Sequence, residues 1–210
     1  MRLHLVGLVA CLAVAACSSG PSPSQSRSPS PAPTPQLATP SPSPEATPSQ
    51  LVSGHYEGGG VSFDYPIEWR GATFDMTSNF HSLIVYLSTS PLKDPCERTA
   101  NSISCGRGAV SGLDPNGILV EWSRSAWIGW TFDPTKGQLM SVGDRPATFE
   151  QLDPSEQCAA IGGVREILVT IGDVPPNQNW TEMRACLRGP SLDETQAQIE
   201  TMLETVAWRQ

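Results

Sequence analysis

The sequence predicts an α+β domain made mainly of antiparallel sheet, with one helix packed on the sheet near the end of the chain and two disulfides stapling it. Three observations favour this class. Short segments that alternate apolar and polar residues recur between proline and glycine turn signals, as half-buried strands do. The last fifteen or so residues change to helical spacing. Four cysteines fall within the region predicted to fold.

The predicted strands begin with Val61–Pro66, which alternates apolar and polar residues and stops at a proline. Residues 69–74 are expected to return as its hairpin partner. Residues 80–89 form the most apolar segment, so we expect them to be a central strand. Asp114-Pro115-Asn116-Gly117 is a strong turn signal, and residues 133–137 are another. The remaining strands are predicted at 118–123, 127–132, 138–142, 147–151, 164–171 and 180–187.

The helix is predicted from a start signal and a repeating apolar face. Ser191-Leu192-Asp193-Glu194 has the pattern of a capping box, in which the serine and the glutamate each accept a backbone N–H. Large apolar residues then recur at helical spacing. They are Ile199, Met202, Leu203 and Val206. A helix of about fifteen residues is therefore expected to pack on the sheet.

Two of the six cysteines are set aside, because Cys11 lies in the predicted export signal and Cys17 is the predicted lipidation site, both described below. Four cysteines remain. They are Cys96, Cys105, Cys158 and Cys186. An even number of cysteines in an exported protein indicates disulfides, and four cysteines allow three pairings. We favour Cys96 with Cys105, closing a small loop within residues 90–117, and Cys158 with Cys186, joining two neighbouring strands. A zinc site is the alternative, but no C-x-x-C pair is present.

The first sixteen residues have the layout of an export signal, with Arg2 followed by an apolar run. That run covers about twelve residues, and a helix needs roughly twenty to cross a bilayer. Val14-Ala15-Ala16-Cys17 at its end resembles the lipobox of bacterial lipoproteins, in which the cysteine sulfur receives a diacylglycerol. The resemblance implies lipidation of Cys17 and a location on the outer face of the bacterial cytoplasmic membrane. An ordinary secretory signal that happens to precede a cysteine is the alternative.

Residues 17–50 are predicted to be the lipidated cysteine and a disordered tether. Residues 18–50 hold ten prolines and ten serines, and such a segment buries too little apolar surface to fold. In polyproline II form, at ~3.1 Å per residue, the tether reaches on the order of 100 Å. We interpret it as a semi-rigid spacer, with a Pro-x-x-P ligand for a partner as the alternative. Residues 51–210 are then one globular domain.

Charge and motifs exclude several functions. The formal net charge of −8 argues against nucleic acid as a partner, because phosphate binding needs a basic surface. Residues 108–112 lack the spacing of a nucleophile elbow. His55 and His81 stand twenty-six residues apart, without the spacing of a metal site. We therefore expect no cofactor, no metal and no enzymatic activity.

Tryptophan is the unusual feature of the composition. Trp122, Trp127 and Trp130 fall within nine residues, beside Arg124. Such a cluster is a candidate platform for a sugar ring or an apolar ligand, because indole rings stack on apolar faces. The alternative is that these rings pack in the core, where large aromatic residues usually lie.

The chain also resembles the PsbP/Mog1-like family of α-β-α sandwich domains. The resemblance rests on residues 60–66 followed by Trp69, on Val142-Gly143-Asp144-Arg145-Pro146-Ala147, and on the closing Val206-Ala207-Trp208. It implies a non-catalytic binding or assembly module for an envelope component, either a protein or a glycan. Binding of a carbohydrate or a small apolar ligand by the tryptophans is the second hypothesis, and a cryptic hydrolase is the third.

Overall fold

The computed structural model describes residues 53–78, 80–99, 102–106, 108–172 and 179–209. The predicted export signal, Cys17 and the predicted tether lie outside these residues. The described chain consists mostly of antiparallel strands, with one long helix near its end, which confirms the predicted class. No helix in the described ranges is long and apolar enough to cross a membrane.

Twelve strands and two helices are present in the described part of the chain. In order they are β1 (Ser53–Gly58), β2 (Val61–Pro66), β3 (Arg70–Ala72), β4 (His81–Ser88), β5 (Cys96–Arg98), β6 (Ile103–Cys105), β7 (Ile118–Ala126), β8 (Gln138–Val142), β9 (Arg145–Leu152), α1 (Glu156–Ala160), β10 (Arg165–Gly172), β11 (Asn179–Leu187), α2 (Leu192–Glu204) and β12 (Ala207–Trp208).

Seven of the strands form the main sheet, in the order β3-β4-β7-β11-β10-β9-β8, and every neighbouring pair is antiparallel. A smaller sheet has the order β1-β2-β12, and β5 pairs with β6 as a separate hairpin. The strand order is not the chain order, so side chains distant in sequence become neighbours in the main sheet.

The main core lies between one face of the seven-stranded sheet and a layer made of the small sheet and α2. Successive side chains of a strand point to opposite faces, and on β7 the even-numbered Val120 and Trp122 point inward with no exposed surface. The ring of Phe63 on β2 stacks on Trp122 with centroids 5.0 Å apart. The predicted apolar face of the helix is confirmed, because Ile199, Met202 and Leu203 are at most 1% exposed. Val206, just beyond the helix, is 5% exposed.

The second face of the main sheet, which we call the outer face, carries the disulfides. Both predicted pairs are formed, Cys96 with Cys105 and Cys158 with Cys186. The first closes the β5–β6 hairpin. The second joins α1 to β11 rather than two neighbouring strands, and its cysteines pack with Val110 and Leu113 in a small satellite cluster.

Three strand predictions differ from the structure. Residues 70–72 pair with β4 rather than with β2, because β1 and β12 already occupy both edges of β2. Residues 127–132 form a loop rather than a strand. Within it Gly129 has a φ of 83°, which interrupts extended backbone. The apolar β4 lies next to the edge strand β3 and is not central.

The predicted capping box is also absent, although the helix is present. Ser191 is the N-cap residue, but its side chain makes no capping hydrogen bond. Its carbonyl oxygen instead accepts from the hydroxyl of Thr195 at 3.0 Å. Asp193 and Glu194 remain in the first turn of the thirteen-residue helix, where their negative charges favour the positive end of the helix dipole.

Candidate functional site

A row of polar side chains crosses the outer face of the main sheet. Tyr86 on β4 lies opposite Glu121 on β7, and Glu121 lies opposite Arg184 on β11. Glu166 on β10 is the fourth member, joined to Arg184 by an ion pair. Four strands that are distant in sequence therefore bring two carboxylates, one guanidinium and one phenol together.

The Glu166 carboxylate is buried, with the side chain 1% exposed. One oxygen accepts from the guanidinium of Arg184, and the other accepts from the backbone N–H of Ser155 at 2.7 Å. Burial raises the pKa of Glu166, but the hydrogen bonds from Ser155 and the charge of Arg184 lower it by more, so its pKa lies below the usual value. The ionised carboxylate thus fastens the start of α1 to the sheet.

Tyr86 and His81 flank Glu121. The Tyr86 hydroxyl donates to Glu121 Oε2 at 3.0 Å, and burial together with the nearby carboxylate raises the pKa of Tyr86 far above its usual value. The phenol is therefore a permanent donor. His81 Nε2 lies 3.7 Å from Glu121 Oε1, and His81 Nδ1 lies 3.3 Å from the Ser125 hydroxyl.

A cleft of about 340 Å³ opens above this row, between α1 and the sheet. Its polar lining includes Glu121, Glu166 and Arg184, and its apolar lining includes Leu119 and Ile161. Both disulfides contribute to its walls. Pockets that bind small molecules combine this size with apolar walls and a few converging polar groups, so the cleft is a candidate ligand site.

A second candidate surface lies at the end of β7. Phe80, Trp127 and Ile128 are 53%, 60% and 87% exposed, and the rings of Phe80 and Trp127 are 5.2 Å apart. We call these three residues the aromatic tip. Behind them Trp130 stacks on Trp180 with centroids 4.5 Å apart.

The structure does not bring the predicted tryptophan platform together. Trp122 is fully buried against Phe63, so it packs in the core, as the alternative interpretation of the cluster expects, and does not belong to an exposed platform. Arg124 lies on the same core-facing side of β7, and its guanidinium donates to the Gly59 carbonyl at 3.1 Å. Trp130 is half-buried. Trp127 is the member of the predicted set that lies in an exposed apolar patch.

Sequence reasoning missed most of these site residues. The sequence pattern predicts a strand that includes Ile128, although the glycine that follows it indicates a loop tip. Glu166 and Arg184 each stand in an apolar strand at an alternating position, which signals the outer face. No local sequence signal places them beside Tyr86 and Glu121, because β4 and β7 are distant in the chain from β10 and β11.

Serine, histidine and carboxylate meet at Ser125, His81 and Glu121, and this is the arrangement that a hydrolase would need. Ser125, however, is 8% exposed and lies within β7, so a substrate has little access to its hydroxyl. His55 contacts Asp64 at 2.6 Å on the surface. Within the described residues, no group of three or more histidine, cysteine, aspartate or glutamate side chains is placed to hold a metal ion.

Comparison with known proteins gives little further information. No protein-family model matches the chain, and no curated protein matches it. A crystal structure from Bacteroides thetaiotaomicron VPI-5482 is similar at 11% sequence identity, with a TM-score of 0.34. The match covers 72% of this chain and 46% of that one, so the chain spans less than half of that protein's length. A likeness of this degree carries no functional argument.

Proposed function

We propose that this chain is a lipid-anchored lipoprotein on the outer face of the bacterial cytoplasmic membrane, and that its domain binds an envelope component without catalysing a reaction. The observation that carries the binding role is the aromatic tip. Three large apolar side chains more than half exposed lie at one end of the sheet, and contiguous exposed apolar surface marks interaction sites. Lipidation of Cys17 supplies the anchor.

The β1–β2 hairpin supports this role through the place where it contacts β7. Arg124, three residues before Trp127, holds the turn of the hairpin at Gly59. Ser53 pairs with Pro66 at the other end of the hairpin, about 17 Å from the turn at 3.4 Å per residue. Ser53 and the tip therefore lie towards opposite ends of the hairpin.

We also assign the domain to the PsbP/Mog1-like sandwiches within this proposal. What supports the assignment is an antiparallel sheet with α2 and the hairpin on one face and the shorter α1 on the other. The family's non-catalytic binding role agrees with the limited access to Ser125.

Two measurements test the proposal. Mass spectrometry of the mature protein should find an acylated N-terminal Cys17, and the Cys17→Ser variant should leave the membrane fraction. For the tip, photo-crosslinking in intact cells should capture a specific envelope component. The double variant Trp127→Ser, Ile128→Ser should lose it, while Leu139→Ser should keep it, because Leu139 is 60% exposed on the edge strand β8. Equal capture by both variants would exclude the tip.

Carbohydrate binding is the second candidate function, because Trp127 offers an exposed indole beside Phe80. Trp130 and Trp180 cover each other's faces, so a sugar ring would stack on Trp127. Soluble cell-wall glycan fragments should then shift the tryptophan fluorescence of the protein, and Trp127→Phe should remove the shift. An unchanged spectrum across the fragments would eliminate this candidate.

A further inference from the structure

We propose that the cleft between α1 and the main sheet binds a small molecule with a primary ammonium group on an apolar chain, and that Glu121 receives the ammonium. This site is separate from the aromatic tip, and the inference does not depend on the function proposed for the tip. It rests on the charges, the hydrogen bonds and the walls of the cleft.

The charges in the cleft are unbalanced. Among the described residues that line it, Glu121, Arg184 and Glu166 have formal charges of −1, +1 and −1, which leave one negative charge. Arg184 and the Ser155 N–H satisfy the buried Glu166. The excess charge therefore resides on Glu121, whose side chain is 29% exposed. A partly buried carboxylate facing a cleft favours a cationic partner.

The hydrogen bonds of Glu121 leave its Oε1 atom able to accept from a cationic donor. Oε2 accepts from Tyr86, a neutral phenol, and this bond adds no positive charge. Oε1 lies 3.7 Å from His81 Nε2, beyond hydrogen-bond distance. The guanidinium of Arg184 is directed to Glu166. A ligand ammonium at Oε1 would gain a charge-assisted hydrogen bond.

The apolar walls and the volume of the cleft determine the kind of chain that the ligand should carry. Met76, Leu119, Ala109 and Ile161 line the cleft with apolar surface. A volume of about 340 Å³ corresponds to ~11 water-sized groups at ~30 Å³ each. A chain of about six carbons with a terminal ammonium fits this volume, and its methylenes gain free energy on leaving water.

The probe is n-hexylammonium, compared with hexan-1-ol and hexanoate, which have the same chain without a positive charge. The protein is the full chain carrying Cys17→Ser, so that no detergent is needed. Titration followed by ¹H–¹⁵N NMR should shift the amides of Glu121 and Arg184 and give a Kd at least tenfold lower for hexylammonium than for either control. Equal affinity for the three probes would overturn the proposal.

Two variants and a matched control separate charge from shape. Glu121→Gln should weaken hexylammonium binding at least tenfold, towards the affinity of hexan-1-ol. Glu182→Gln removes a carboxylate from the same sheet face outside the cleft lining and should change the Kd less than twofold. Ala160→Phe fills the cleft from the exposed side of α1 and should abolish the shifts. Circular dichroism checks that each variant is folded. Unchanged binding of hexylammonium by either folded cleft variant would contradict the proposal.

Discussion

The buried carboxylate of Glu166 offers the sharpest test of how α1 is held on the sheet, through the variant Glu166→Gln. The substitution keeps the shape of the side chain and removes its charge. The amide has a single acceptor oxygen, so one of the two donors, the Arg184 guanidinium or the Ser155 N–H, loses its acceptor and faces the amide NH2 instead. Bonds to charged groups contribute about 1.5–3 kcal/mol and neutral ones about 1 kcal/mol.

The expected loss is therefore about 2 kcal/mol in the free energy of unfolding at pH 7, since the Arg184 side chain is 42% exposed and water replaces part of its interaction. For a domain of this size the loss lowers the Tm by about 4–8 °C. Urea unfolding followed by tryptophan fluorescence measures it. Glu182→Gln is the matched control: its carboxylate accepts from Trp180 Nε1 at 3.0 Å but is half-buried, so its loss should stay within about 0.5 kcal/mol.

The difference in stability between the wild type and Glu166→Gln is also expected to depend on pH. The pKa of Glu166 is lower in the folded protein than its ordinary value of 4.5, so ionised Glu166 stabilises the fold above that pH. The contribution is lost as the pH falls through the folded pKa. The stability gap between the wild type and Glu166→Gln should therefore shrink below about pH 4.5. Equal stability at pH 7, or a gap that stays constant into acid, would refute the role given to this carboxylate.

Two further stability predictions follow from the core and the disulfides. Leu203→Asp should prevent accumulation of folded protein, because it places a carboxylate at a position 1% exposed, at a cost of several kcal/mol; normal secreted yield would contradict the packing of α2. Replacing Cys158 and Cys186 by serine opens a loop with a sequence separation of 28 and should lower the free energy of unfolding by about 3.6 kcal/mol, from loop-closure entropy. Replacing Cys96 and Cys105, with a separation of 9, should lower it by about 2.6 kcal/mol. Denaturant midpoints in the reverse order would exclude this entropic account.

Local patterns predicted much of the fold because burial imposes a period on each element. The alternation in Val61–Pro66 and the helical spacing of Ile199, Met202 and Leu203 correspond to the buried faces in the structure. The same alternation in β7 indicates that Trp122 faces the core, since Val120 shares its face and the polar Glu121 and Ser123 do not. The exposed platform is predicted from the residue type of the tryptophans, whereas the alternation of apolar and polar residues in β7 indicates that Trp122 is buried.

Tertiary contacts determine the features of the fold that local sequence patterns do not predict. The Ser191 motif matches a capping box. In the structure, however, the N–H of Ser191 donates to Asn116 Oδ1 at 3.0 Å, and its carbonyl oxygen accepts from the Thr195 hydroxyl. The cleft depends on the adjacency of β4, β7, β11 and β10. Strand order arises from packing of the whole chain, so the meeting of Glu121 with Arg184 has no local signature.

The hairpin that leads into the domain also has a mechanical consequence. All six residues of β1 pair with β2, from Ser53 opposite Pro66 to Gly58 opposite Val61. A force applied at Ser53 along the strand axis, while β2 is held by its pairing with β12, pulls β1 past β2. The ladder is then loaded in shear, with its hydrogen bonds sharing the tension rather than breaking in succession like a zipper. Tension applied along this axis would therefore load the whole length of β1 before the larger sheet is disturbed.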